Sequence, residues 1–153
     1  MIWTVRVECI WGIYLEEKCI RVIEIDSGCS LLDLHGAIQD AVGFDNDHMF
    51  EFLIGRNWRR GRSLDDGCFP EDMADRYDSI KFGDVFPPPK GQKLFYHFDF
   101  GDDWYFVVKN SRKKPRDPEP NVTYPRLVDS IGPNPPQYGR YEDEEDDEEE
   151  SEY

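Results

Sequence analysis

Residues 95–104 read FYHFDFGDDW, and they gather Asp99, Asp102 and Asp103 around one glycine, with His97 two positions upstream. A turn this rich in carboxylate oxygens has the ligand type that a hard divalent cation prefers. Like charges so close together also push at least one carboxyl toward its protonated form, which suits general acid–base work. His48, in FDNDH, and His35, in LLDLHGAIQ, are the other imidazoles that could join such a ligand or metal site. On that reading the chain is a small metal-dependent enzyme, hydrolytic in type, with a divalent metal as cofactor. Aspartate and glycine are equally the residues that tight turns use, and an aspartate can cap backbone amides to stiffen the turn. His35 borders a helical apolar face, where a histidine is ordinarily a packed core residue. The structural reading is preferred, and it calls for no cofactor.

A second group of residues carries the opposite charge. Arg56, Arg59, Arg60 and Arg62 surround Trp58 in RNWRRGR, and KNSRKKPR at 109–116 adds Lys113 and Lys114. Cations interleaved with an aromatic ring form a surface for a polyanion, the ring stacking on a base. The net charge of −15 opposes long-range attraction of nucleic acid, so a protein-partner patch is the preferred reading of the two. The acidic residues after Tyr141 could also fold back on these loops and mask them. Other chemistries are excluded by missing partners. Asp99-Phe100-Gly101 imitates the kinase metal-binding triplet without a glycine-rich loop or catalytic loop. There is no P-loop, G-x-S-x-G or H-E-x-x-H, and Ser63 lacks the setting of a recombinase nucleophile.

The elements that position these groups follow from periodicity. Leu94–Val108 reads as a hairpin at the centre of a sheet covered on at least one side. Leu94, Tyr96, Phe98 and Phe100 share one face of its first strand, and Phe95, His97 and Asp99 the other. On its second strand Trp104, Phe106 and Val108 alternate with Tyr105, Val107 and Lys109. Residues 2–10 and 18–25 alternate in the same way and form an opening antiparallel pair. Ser30 and Asp33 make a variant of the capping box, and Leu31, Leu34, Ile38, Ala41 and Val42 fall on one face of a helix over 31–42, closed by Gly43. Residues 49–54 read as a third strand, 71–77 as a short helical turn, and 79–82 as a brief strand or edge segment. From about residue 110 the prolines forbid most helix or inner strand, which predicts an irregular cover over the body. The fold class is α+β: a single domain over 1–140, with an antiparallel-rich mixed sheet of about five strands and one principal helix on one face.

Composition sets the outer bounds. Length gives room for one real core, and aromatics at 14% can fill it. Ten acidic residues and no basic one lie between Glu142 and Glu152; without them 23 acidic residues face 18 basic ones, a body near −5. Residues 141–153 therefore read as a disordered acidic tail. No stretch approaches the roughly 18 apolar residues of a membrane span, and the first residues lack a basic head and apolar signal core. The expected location is cytoplasmic, with no membrane partner. Cys9, Cys19, Cys29 and Cys68 form no C-x-x-C pair. They are expected to stay thiols, Cys9 and Cys19 facing each other across the first strand pair.

Three blocks carry a family likeness: LLDLHGAIQDAVGFDNDHMFEF at 31–52, FYHFDFGDDW at 95–104, and YPRLVDSIGPNPPQYG at 124–139. Their order and spacing resemble the plasmid pRiA-type ORF-three-like family, also labelled as transposon passenger proteins of TnpR type. The resemblance implies the fold above, and a non-catalytic binding or interaction module, accessory to a mobile element. Two departures stand out. Tyr105-Phe106 follows the tryptophan where the family usually places a histidine second, and Gln137-Tyr138 stands where the family usually carries an acidic pair. The sequence leaves the partner, protein or nucleic acid, and the oligomeric state open.

Overall fold

The computed structural model describes residues 1–139; the acidic segment from 141 lies outside the described residues. The element order is β1 (Ile2–Trp11), β2 (Ile20–Asp26), α1 (Leu31–Val42), β3 (Phe50–Gly55), β4 (Arg62–Ser63), α2 (Met73–Asp78), α3 (Phe82–Val85), β5 (Lys93–Phe98), β6 (Trp104–Asn110) and β7 (Arg126–Ile131). The strands form one sheet in the order β4-β3-β5-β6-β1-β2-β7, and every neighbouring pair is antiparallel.

The architecture is α+β, with seven strands instead of about five and no parallel pairing to make the sheet mixed. The two additional strands are the edges. β4 is two residues long inside the arginine-rich turn, too short to show alternation. β7 occupies the proline-free gap between Pro125 and Pro133, where the cover was expected to be irregular. Proline excludes a central strand but flanks an edge strand without cost. Residues 79–82 form no strand: a single bridge joins Ser30 to Lys81, and α3 begins at Phe82.

α1 starts where the capping box predicts. The Asp33 amide donates to Ser30 Oγ at 3.0 Å and the Ser30 amide to Asp33 Oδ2 at 2.9 Å, a cap worth about 1 kcal/mol. Gly43 ends the helix at φ 71°, where a side chain would also meet Asn134. The helix lays Leu31, Leu34, Ile38 and Val42 on the inner face of the sheet, against Val5, Val7, Ile23, Ile25, Tyr96, Phe98, Trp104 and Phe106. Phe44, Phe50, Phe52 and Tyr77 complete this ring-filled core. Arg21 is buried under the end of α1 and donates to Ala41 O, Ile20 O, Ile131 O and Asn134 Oδ1. A cation at the negative end of a helix is favourably placed, and this one ties α1, β7 and the turn after it together. Cys9 on β1 and Cys19, the residue just before β2, are joined by a backbone hydrogen bond of 3.0 Å, and both are free thiols.

The outer face is thinner. Leu53, Phe95 and Val107 form a small cluster there, covered by Ile10, Trp58 and Tyr105. The central hairpin divides its side chains as the alternation predicts, with one exception. Asp99 takes φ 64°, the alternation stops, and Phe100 turns out to solvent at 42% exposure instead of joining Phe98 inside. No helix among the described residues is long and apolar enough to cross a membrane.

Candidate functional site

The strands β3, β5 and β6 lie side by side, and their register defines two ends. Phe50, Phe98 and Trp104 are aligned at one; Gly55, Lys93 and Val108 approach the other. The acidic hairpin turn and the loop containing His48 belong to the first end. The arginine-rich turn and the start of the 109–116 segment belong to the second.

At the acidic end the carboxylates are bound by their neighbours. Asp99 Oδ1 accepts from the amides of Gly101 and Asp102 at 3.0 and 3.2 Å, and Asp99 Oδ2 lies 3.4 Å from His48 Nε2. Asp102 is half-buried; burial, and then the Asp99 carboxylate, raise its pKa above the usual range. Asp103 Oδ1 meets His97 Nε2 at 2.8 Å, while Glu51 Oε2 meets His97 Nδ1 at 2.7 Å. Both ring nitrogens therefore face acceptors, an arrangement that an imidazolium, with one donor on each nitrogen, satisfies fully. Burial is the largest single influence on Glu51 and opposes its charge, but the hydrogen bonds from His97 and Ser63 and the charge of His97 together leave the Glu51 pKa lowered. In the adjoining loop Gln137 Nε2 donates to Asp47 Oδ1 at 3.1 Å, and the Tyr138 hydroxyl lies against both Asp45 and Asp47. Gln137 and Tyr138 thus clamp this loop.

The three histidines do not converge. His48 sits at the loop beside Asp99, and His97 lies on the outer face of the sheet, stacked between Phe100 and Tyr105. His35 is buried on the inner face. There the Gln39 amide donates to Tyr96 Oη at 2.9 Å, and Tyr96 Oη lies 2.5 Å from His35 Nδ1. His35 Nε2 faces Asn46 Oδ1 at 2.6 Å, and the Asn46 amide donates to Gln39 Oε1 at 2.9 Å. The bonds close a ring that a neutral His35 satisfies, its Nδ1 accepting from the Tyr96 hydroxyl and its proton on Nε2. Burial lowers its pKa from 6.5 to about 4, against a smaller raising effect of the Asn46 bond. Among the described residues no group of three His, Cys, Asp or Glu side chains is placed to hold a metal ion. Phe106 is fully buried in the aromatic core beside Tyr96 and Phe44.

Sequence reasoning left Glu51, Asn46 and Tyr96 out of the candidate set. Alternation places Glu51 and His97 each on an outer face, but only the register makes them opposite neighbours. Of the inner network, His35 alone was among the candidates, as a residue bordering the helical apolar face.

At the basic end Arg56, Arg60 and Arg62, with Asn57 and Gln92, line an open cleft of about 430 Å³. Asn57 starts the turn by accepting from the Arg60 amide at 3.0 Å, and the four arginines are exposed. Arg59 lies 4.9 Å over the Trp58 ring, a cation–π contact. Trp58 stacks on Trp11 at 5.8 Å and leans on Tyr105 at 4.5 Å. Lys113 and Lys114 are exposed. Among the described residues, ion pairs involve Arg76, Lys109, Arg116 and Arg126 but none of Arg56, Arg59, Arg60 and Arg62.

Comparison with known proteins gives a family and a fold. The sequence profile of the plasmid pRiA4b ORF-3-like proteins matches residues 13–143. The crystal structure of a protein of unknown function from Methanosarcina mazei Go1 is similar, with a TM-score of 0.66 and 23% identity. The match covers 96% of this chain and 79% of that one, and at this identity it speaks for the fold alone. No curated protein matches the chain.

Proposed function

This chain belongs to the plasmid pRiA4b ORF-3-like protein family, and we propose that it is a non-catalytic interaction module, accessory in role to a mobile element. The observation that carries this reading is the contrast between the two ends of the sheet. Asp99, Asp103, Glu51 and the three histidines are engaged in bonds that hold turns and loops in place. The arginines of the other end carry no such duty. A second reading, a small metal-dependent hydrolase at the Asp99–Asp103 turn, draws on the raised carboxyl of Asp102 beside Asp99.

A thermal-shift screen with Mg²⁺, Mn²⁺, Zn²⁺ and Ca²⁺ separates the two. A metal held at a hundred times its Kd adds about 2.7 kcal/mol, several degrees for a domain of this size. The module predicts no metal-specific shift in the chain or in Asp102→Asn. A shift lost in Asp102→Asn supports the hydrolase.

A further inference from the structure

We propose that the arginine-rich turn and the neighbouring lysine loops bind a single-stranded nucleic acid, their side chains on its phosphates and a base on the Trp11 ring, which stacks on Trp58 of that turn. This rests on the reading of the chain as a binding module and names its partner.

The register brings three chain segments together. Residues 55–62 leave β3, residues 86–93 lead into β5, and residues 109–116 continue from the end of β6, all at one end of three adjacent strands. These segments contain four, two and five basic residues and no acidic one. Lys109 reaches Glu8 and Arg116 reaches Glu24; the other nine, from Arg56 to Lys114, are all exposed. The cleft between Arg56, Arg60 and Arg62 presents guanidinium groups, which match phosphate oxygens in a bidentate fork.

Net charge does not cancel this patch. Six-residue β5 separates the two ends by about 20 Å, while charge is screened over about 8 Å at physiological salt. The local sign at the basic end therefore decides what approaches it.

The rings select among anions. Trp11, Trp58, Tyr105, His97 and Phe100 form a continuous row across the outer face. Trp11 ends the row at 46% exposure; in register it lies level with Tyr105 and His97, and the arginine-bearing turn reaches it through the stack of Trp58 on its ring. An exposed indole beside a phosphate cleft is the pairing that sequence-tolerant single-strand binders use. An acidic peptide would engage the arginines and leave Trp11 idle, and a duplex would keep its bases out of reach.

The test uses the full chain and fluorescent oligothymidylate of about fifteen nucleotides, its RNA counterpart, a duplex of equal length, and polyglutamate as competitor. Either single strand should bind, and affinity should fall at least about tenfold between roughly 50 and 200 mM salt. Arg60→Glu with Arg62→Glu should cost about tenfold or more. Trp11→Ala should cost about fivefold for single strands and nothing for the duplex. Thermal midpoints of the variants, all at exposed side chains, show that they remain folded. Three results each overturn the proposal: no binding at low salt, single-strand affinity unchanged in Trp11→Ala, or displacement by polyglutamate as effective as by the oligonucleotide. Cleavage of the oligonucleotide with Mg²⁺ would instead break the non-catalytic reading and leave the binding result standing.

Discussion

The two ends of β3, β5 and β6 are built from opposite charges and handle them in opposite ways. At one end Asp99, Asp103 and Glu51 are met by backbone amides and by His97, and Asp45 and Asp47 by Gln137 and Tyr138. At the other end Arg56, Arg59, Arg60 and Arg62 are displayed around Trp58, with no carboxylate partner among the described residues. The lesson is that a cluster of charge marks a surface for partners only where the fold leaves the charge unanswered. An aspartate can be answered locally, because loop amides supply donors within two or three residues. A guanidinium needs acceptors in a fixed planar fork, and the basic loops hold no carboxylate to provide them.

The comparison breaks most easily through His97. His97→Ala leaves half-buried Glu51 and Asp103 without their shared donor, and should destabilise the chain by about 3 kcal/mol in urea unfolding. A loss below about 1 kcal/mol would mean that the acidic end is not held by this residue.

A nearly equal effect is expected from pH. In the unfolded chain His35 ionises near 6.5, and in the folded protein near 4. Between these values the unfolded chain binds the additional proton. This contribution is therefore fully present above about pH 6.5 and is lost as pH falls toward 4, to a limit of about 3 kcal/mol. An NMR titration of the His35 ring should find its midpoint near 4; a midpoint near 6.5 would contradict the closed network with Tyr96, Gln39 and Asn46.

Asp99 gives a smaller and more selective effect. Asp99→Ala removes the acceptor of two amides and places alanine at φ 64°, for about 2 kcal/mol by the loss of turn bonds and the left-handed strain. Asp99→Asn keeps an oxygen and tolerates that backbone, so it should cost under about 1 kcal/mol. Equal losses would show that the charge matters more than the cap.

The smallest effect belongs to the basic end. Arg60→Glu with Arg62→Glu should change stability by no more than about 0.5 kcal/mol, since neither side chain has an ion-pair partner among the described residues. A larger loss would give these arginines a structural role and weaken the contrast.

Much of this was legible in sequence because it depends on local pattern. α1 begins and ends where Ser30, Asp33 and Gly43 place it, and the inner and outer sets of β5 and β6 follow two-residue alternation as far as Phe98. Phe100 departs because the left-handed turn at Asp99 resets the alternation, and no pattern of apolar residues encodes that. β7 was hidden by its prolines, and β4 by its brevity. The site was legible as residue types and not as partnerships. Asp99 and His97 were evident, but the pairing of His97 with Glu51 depends on which residues of β3 and β5 face each other, a long-range property. The basic loops were read one at a time. Their meeting at one end of the sheet, with Lys90 and Lys93 between them, follows only from the strand order.

The most direct measurement is a backbone and indole NMR perturbation map of the full chain titrated with oligothymidylate and, separately, with Mg²⁺. The account predicts shifts at residues 55–62, 90–93 and 109–114 and at the Trp11 and Trp58 indoles with the oligonucleotide, and none at residues 45–48 and 99–103 with either. Shifts centred on the Asp99–Asp103 turn, with the arginine loops silent, would contradict it.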